Sequence, residues 1–198
     1  MALSFYVLLL IAANVLISRK GFQDSSFFNK YLFQIAAVNQ GQYYRLISSS
    51  FLHADTTHLL FNMMTLVFFG DYVVSYFGGY AFWLLYFGSV FSGSVLGMYF
   101  NRSKPSYSAV GASGGVIGVL FSALLAFPEM KVGFLFIPIP MPGYLFVLLY
   151  LGYTLYGMKS QRDQIGHSAH LGGAVGGILL SLMFSPQLLR DWMQYLPF

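Results

Sequence analysis

The stretch that decides the fold is Gly111-Ala-Ser-Gly-Gly-Val-Ile-Gly-Val-Leu-Phe-Ser-Ala-Leu-Leu-Ala-Phe-Pro128. It opens on a serine among glycines, runs on without a charge, and ends at a proline, which breaks a helix. A helix over 113–127 is about 22 Å long at ~1.5 Å per residue, short of the ~30 Å hydrocarbon core of a bilayer. If the proline end lies at one interface, Ser113 lies at depth below the other. The non-helical backbone ahead of it, 107–112, must then line a cavity or be covered by protein.

Composition makes lipid the solvent. The 198 residues are 57% hydrophobic and 19% aromatic, and only 8% are charged, against about 25% in a soluble domain. The net charge of +4 comes from ten basic residues scattered over loops, with no basic block or stripe, so no nucleic-acid partner is expected. The chain has no cysteine, which removes disulfides, thiolate metal sites and a cysteine nucleophile.

Apolar residues gather into six segments, roughly 3–18, 58–77, 80–99, 113–127, 143–157 and 170–184. The first reads as a span and not a cleaved signal, because no Lys or Arg precedes Arg19 and similar runs follow. Each segment must be helical, since the bilayer core offers no partner for free backbone groups. The expected fold class is therefore all-α: a polytopic membrane protein, a bundle of six transmembrane helices, one domain over 1–198. The long first loop, 19–57, mixes polar and aromatic residues and suits short interfacial helices. The proline-rich run at 136–143 reads as a turn between the fourth and fifth segments.

Several polar residues sit where a lipid-solvated chain should avoid them. His53 and His58 lie at the start of the second segment, with Asn62 one turn beyond His58; Ser113 opens the fourth; His167 and His170 open the sixth. Alternating spans run in alternate directions, so the second, fourth and sixth begin on one membrane face. Topology alone thus brings His58, Asn62, Ser113 and His170 to the same end of the bundle. Taken singly, Ser113 could be a helix cap, Asn62 interhelical glue, and the histidines solvated rings. Together they match acyl transfer. A serine hydroxyl needs a base to become a nucleophile, histidine has the suitable pKa range, and an oxyanion needs fixed donors. His58, the Asn62 amide and the Ser113 backbone N–H are the candidate donors, aided by the positive end of the fourth helix. Asp55 and Asp163 both lie in loops and read as solvated charges, which leaves a serine–histidine dyad. A metal site using His53, His58, His167 and His170 is a weaker alternative, since the chain has no HExxH motif. Gly111, Gly114, Gly115 and Gly118 crowd the fourth segment, and Gly172, Gly173, Gly176 and Gly177 the sixth. Small residues at four-residue spacing predict a close crossing of these two helices, which would carry Ser113 to His170.

At these residues the chain resembles the rhomboid intramembrane serine proteases. Gly111-Ala-Ser113-Gly114 is similar to their GxSG motif, Ala169-His170-Leu-Gly-Gly173 with Gly177 to their AHxxGxxxG motif, and His58-Leu-Leu-Phe-Asn62 to their HxxxN pair. Tyr44-Arg45 resembles the Trp-Arg pair of their first loop. The resemblance implies a six-helix core, a Ser113–His170 dyad, oxyanion stabilisation involving His58 and Asn62, and no cofactor. It implies single-span membrane protein substrates, entering sideways from lipid past the fifth helix, in a multi-pass protein of a bacterial-type inner membrane. A catalytically inactive relative that binds membrane helices is the alternative. Two features depart from the pattern. Family members often carry an aromatic residue four positions after the serine, beneath the histidine ring, where this chain has Ile117. The family's topology also puts the dyad near the outer face. Here Arg19, Lys20, Lys30, Arg45, Arg102, Lys104, Lys159 and Arg162 lie on the dyad's side and only Lys131 and Arg190 opposite, a count that points the dyad inward.

Overall fold

The computed structural model describes residues 3–134, 137–160 and 166–195. Helix α1 spans Phe5–Gln23, begun by the Ser4 hydroxyl accepting the Val7 N–H. The first loop then folds into α2 (Ser25–Tyr31), strand β1 (Phe33–Gln34), α3 (Ile35–Asn39), α4 (Arg45–Ser48) and a 3₁₀ turn at Ser49–Phe51. These are the short helices expected over 19–57, although α1 runs five residues into that range. Next come α5 (Thr56–Phe77), α6 (Gly79–Asn101), β2 (Ser108–Ala109), α7 (Ser113–Ala126), β3 (Lys131–Phe134), β4 (Ile137–Pro142), α8 (Gly143–Ser160), α9 (His167–Phe184) and α10 (Gln187–Met193).

The six expected apolar segments are thus α1, α5, α6, α7, α8 and α9. Four of them, α1, α5, α6 and α9, are long and apolar enough to cross a membrane; α7 is a shorter apolar helix. Large apolar side chains point outward, among them Phe5, Leu16, Phe68, Leu155 and Met183, as expected where lipid replaces water. The sixth helix begins at His167, three residues earlier than the sequence suggested. Two small antiparallel strand pairs interrupt the all-helical picture. The proline-rich run is not merely a turn: β4 pairs with β3, Lys131 opposite Pro142 and Val132 opposite Met141. Its prolines are tolerated because a two-stranded ribbon is all edge.

Helix α7 is the axis. Every residue from Gly114 to Leu125 is buried, so this short helix is wrapped by protein. Its closest partners meet it through glycine. A Cβ on Gly173 would fall on the Gly114 backbone, and one on Gly177 would lie 2.5 Å from the Gly118 carbonyl oxygen. The predicted crossing of the fourth and sixth helices is therefore present, backbone against backbone. Helix α6 joins it: a Cβ on Gly172 would sit 2.6 Å from the Ser92 carbonyl oxygen, and one on Gly93 2.7 Å from that of Ala169. Nothing in the glycine spacing of α7 and α9 announced this third partner.

The first loop covers the non-helical backbone ahead of Ser113. Phe33 and Gln34 of β1 pair with Ala109 and Ser108 of β2. The N–H groups of Ile35 and Ala36 donate to the carbonyls of Tyr107 and Pro105. Arg45 is buried and donates to Gln42 Oε1 and to the carbonyls of Asn29 and Leu32. It ties the loop together, so it does not act as a free surface charge in any count of basic residues. Asp71, an acidic residue inside α5, escaped the sequence reading. Its carboxylate accepts the Ser4 N–H at 3.0 Å and ties the start of α1 to α5.

Candidate active site

Ser113 is the first residue of α7, and Ala112 occupies the cap position without a side-chain bond. The serine is therefore not spent as a helix cap. Its Oγ lies 2.9 Å from His170 Nε2. That contact follows from the glycine crossing, because α7 and α9 could not approach so closely over larger side chains. Both residues are half-buried.

His170 is held from the far side by a residue the sequence reading missed. The Tyr150 hydroxyl, on α8, lies 3.2 Å from His170 Nδ1. Tyr150 is itself packed by Phe146, stacked at 5.9 Å, and by Phe121, edge-on at 5.6 Å. Ile117, beneath the serine, packs into the same apolar cluster as Phe121 and Phe146. The ring's aromatic neighbour comes from another helix, and nothing distinguishes Tyr150 in sequence from the other tyrosines of α8. In the tautomer that carries its proton on Nδ1, the Nδ1–H is directed at the phenol oxygen and Nε2 is free to accept the serine proton.

His58 and Asn62 line the cavity that Ser113 and His170 line, a cleft of about 850 Å³. The Asn62 amide is buried, and one N–H donates to the His58 carbonyl at 2.9 Å; the other remains for a ligand. The His58 ring lies against Gly111. Gly111 has φ +127, where a side chain is strained, and a Cβ there would lie 2.6 Å from His58 Cε1. The first glycine of the serine motif thus answers two demands at once. The Ser113 N–H lies in the first turn of α7, where no intrahelical acceptor exists.

The other candidates divide. Asp55 is exposed to solvent, as expected, and it also caps α5, its carboxylate accepting the His58 N–H at 2.8 Å. Asp163 lies outside the described residues. His167 is buried, its ring edge-on to Tyr153 at 5.3 Å. His53 is fully buried, 5.0 Å from the His58 ring. Burial first, and the neighbouring His58 second, hold its pKa down to about 3, so the ring is neutral. Among the described residues, no three His, Cys, Asp or Glu side chains gather as a metal ion requires.

A polytopic helical bundle with a half-buried serine and histidine from different helices hydrogen-bonded in one cleft defines a narrow class of integral membrane protein. The Rhomboid domain profile matches residues 40–187, and the chain belongs to the rhomboid family. It is 29% identical over 137 residues to "Rhomboid protein 1, mitochondrial" of Saccharomyces cerevisiae, covering 68% of this chain and 40% of that protein. It is 28% identical over 141 residues to "Rhomboid protease GluP" of Bacillus subtilis, covering 71% of this chain and 26% of that one. It is 35% identical over 89 residues to "Inactive RHOMBOID-like protein 8" of Arabidopsis thaliana, covering 45% of this chain and 25% of that one. The chain spans well under two thirds of each relative's length.

Proposed function

We propose that the chain is an intramembrane serine endopeptidase that cleaves transmembrane segments of single-span membrane proteins, acting as one membrane domain over 1–198. The observation that carries this reading is the 2.9 Å contact between Ser113 Oγ and His170 Nε2. His170 takes the hydroxyl proton as Ser113 Oγ attacks the scissile carbonyl carbon. The oxygen that becomes negative is met by the Ser113 N–H, the free Asn62 amide hydrogen and the His58 ring. His170 then returns its proton to the leaving amine, and the acyl-serine remains. Water, deprotonated by the same imidazole, attacks the ester carbon; as the acyl C–Oγ bond breaks, His170 returns that proton to Ser113 Oγ and the new carboxyl terminus leaves. No metal or redox cofactor has a role in these steps.

The cleft supplies what this chemistry needs inside lipid, a cavity in which polar groups, among them Asn62 and His58, surround the half-buried Ser113 and His170. The test is cleavage of a single-span substrate by the purified protein in proteoliposomes. Wild type should cleave; Ser113→Ala and His170→Ala should each fall by a factor of about 10³ or more. Undiminished cleavage by Ser113→Ala refutes the reading.

The inactive relative among the matches keeps a second reading in play, a non-catalytic protein that binds membrane helices. Substrate captured but left intact by the wild type, as by Ser113→Ala, would favour it. On orientation, the resemblance puts the dyad near the outer face of a bacterial-type inner membrane. The chain has no cysteine, so a single Lys104→Cys should be labelled by an impermeant thiol reagent from outside intact cells. Labelling only after lysis would put the dyad inward.

A further inference from the structure

A second buried histidine sits behind the serine, in a set of hydrogen bonds that the dyad does not use. His53 Nδ1 lies 2.8 Å from the Ser18 hydroxyl of α1. The Ser18 hydroxyl donates in turn to the Phe51 carbonyl at 2.9 Å. On the other edge of the ring, the Ala112 N–H donates to His53 Nε2 at 3.3 Å. A backbone N–H can only donate, so Nε2 must be bare. The ring proton then sits on Nδ1 and points at Ser18, whose own hydrogen goes to Phe51. One neutral tautomer satisfies every atom in the chain.

What this relay holds is the residue immediately before Ser113. The preceding N–H, that of Gly111, donates to the Ser49 carbonyl at 3.0 Å. Two successive amides are thus pinned to the segment that leads into α5, and both bonds lie just ahead of the serine. The next amide, that of Ser113, begins α7. We propose that His53 is a positioning residue for the nucleophile: by accepting the Ala112 N–H while anchored to Ser18, it sets the peptide that aims Ser113 Oγ and the Ser113 N–H into the cleft. This rests on the proteolytic reading of Ser113. It also gives α1 a part in the site, because Ser18 fixes the ring whose other edge Ala112 meets.

The two edges of the ring can be tested separately. In His53→Gln, the longer amide reaches the place of Nε2 and can accept from Ala112. In His53→Asn, the shorter amide reaches only the place of Nδ1 and Ser18. Both variants are made in the full chain, and kcat, KM, Ser113 labelling by a fluorophosphonate and the thermal midpoint are measured in detergent. The Gln variant should keep most of the turnover. The Asn variant should lose about tenfold in kcat and labelling rate, the order of one charge-assisted or buried hydrogen bond, with KM within about twofold. Equal activity in the two, or losses that simply follow the thermal midpoint, would overturn the proposal. Amide hydrogen exchange supplies a readout free of catalysis: the peptide containing Ala112 should exchange faster in the Asn variant than in the Gln variant. If wild type neither cleaves nor labels, the proteolytic reading fails by itself. The exchange comparison still decides whether His53 holds the Ala112 amide, and equal exchange refutes it.

Discussion

Tyr150 of α8 and His170 of α9 face each other through the phenol oxygen and the imidazole Nδ1, 3.2 Å apart. The partner is a neutral hydroxyl, not a carboxylate. It orients the ring and meets the N–H of the imidazolium that forms, but it brings no negative charge to balance it. Tyr150→Phe keeps the ring packing against Phe121 and Phe146 and removes only the oxygen. Turnover should fall about fivefold to tenfold, with KM nearly unchanged, the effect of about 1–1.4 kcal/mol. An unchanged kcat would mean that packing alone supports His170.

Asn62 and His58 carry the next prediction. If they stabilise an oxyanion, their loss should act on kcat and spare substrate binding. Asn62→Ala should lower kcat by about 10²-fold, as the loss of one oxyanion donor commonly does. Fluorophosphonate labelling should slow in parallel, because its adduct carries an oxygen at the same spot. A rise in KM alone would remove Asn62 from this role.

The glycine crossing predicts a contrast between two alanine substitutions. A Cβ at Gly173 would fall on the Gly114 backbone, whereas one at Gly152 meets nothing within 4 Å. Gly173→Ala should cost about 1–3 kcal/mol from overpacking and should also slow Ser113 labelling, since it pushes α9 from α7. Gly152→Ala should leave both unchanged. Thermal unfolding in detergent and labelling rates check the pair, and equal behaviour of the two would contradict the crossing.

The buried His53 predicts a pH dependence of stability. Its folded pKa is about 3, against the ordinary 6.5. Between these values the unfolded chain binds the proton and the folded chain does not, so protons favour unfolding. This contribution is full above pH 6.5 and is lost progressively as pH falls toward 3. Its ring faces His58 at 5.0 Å, and Asp55 partly offsets the shift. The thermal midpoint should decline below pH 6.5 in wild type and decline less in His53→Gln, which has no proton to take up there. Parallel curves would assign the acid sensitivity elsewhere.

Much of this protein is legible without coordinates. Apolar runs of span length with so few charges leave helices in lipid as the physical solution, because no other backbone geometry satisfies itself there. Alternating direction then gathers Ser113, His170, His58 and Asn62 at one end, whatever the details of packing. The glycines of the fourth and sixth segments also announced their crossing, since only a missing side chain lets two backbones touch. The features left to the tertiary structure all depend on contacts between segments distant in sequence. Tyr150 looks like any other tyrosine of an apolar helix until α8 packs beside α9. Ile117 looked like a gap under the histidine until α8 filled it. His53 read as one more histidine near a helix start, and only the folded first loop sets it between Ser18 and Ala112. Arg45 read as a loop charge, yet folding wraps it in backbone carbonyls. Periodicity and composition report how each segment meets its solvent. They say nothing of which side chain from another helix completes a hydrogen bond, because a single strong polar contact leaves no repeat in the sequence.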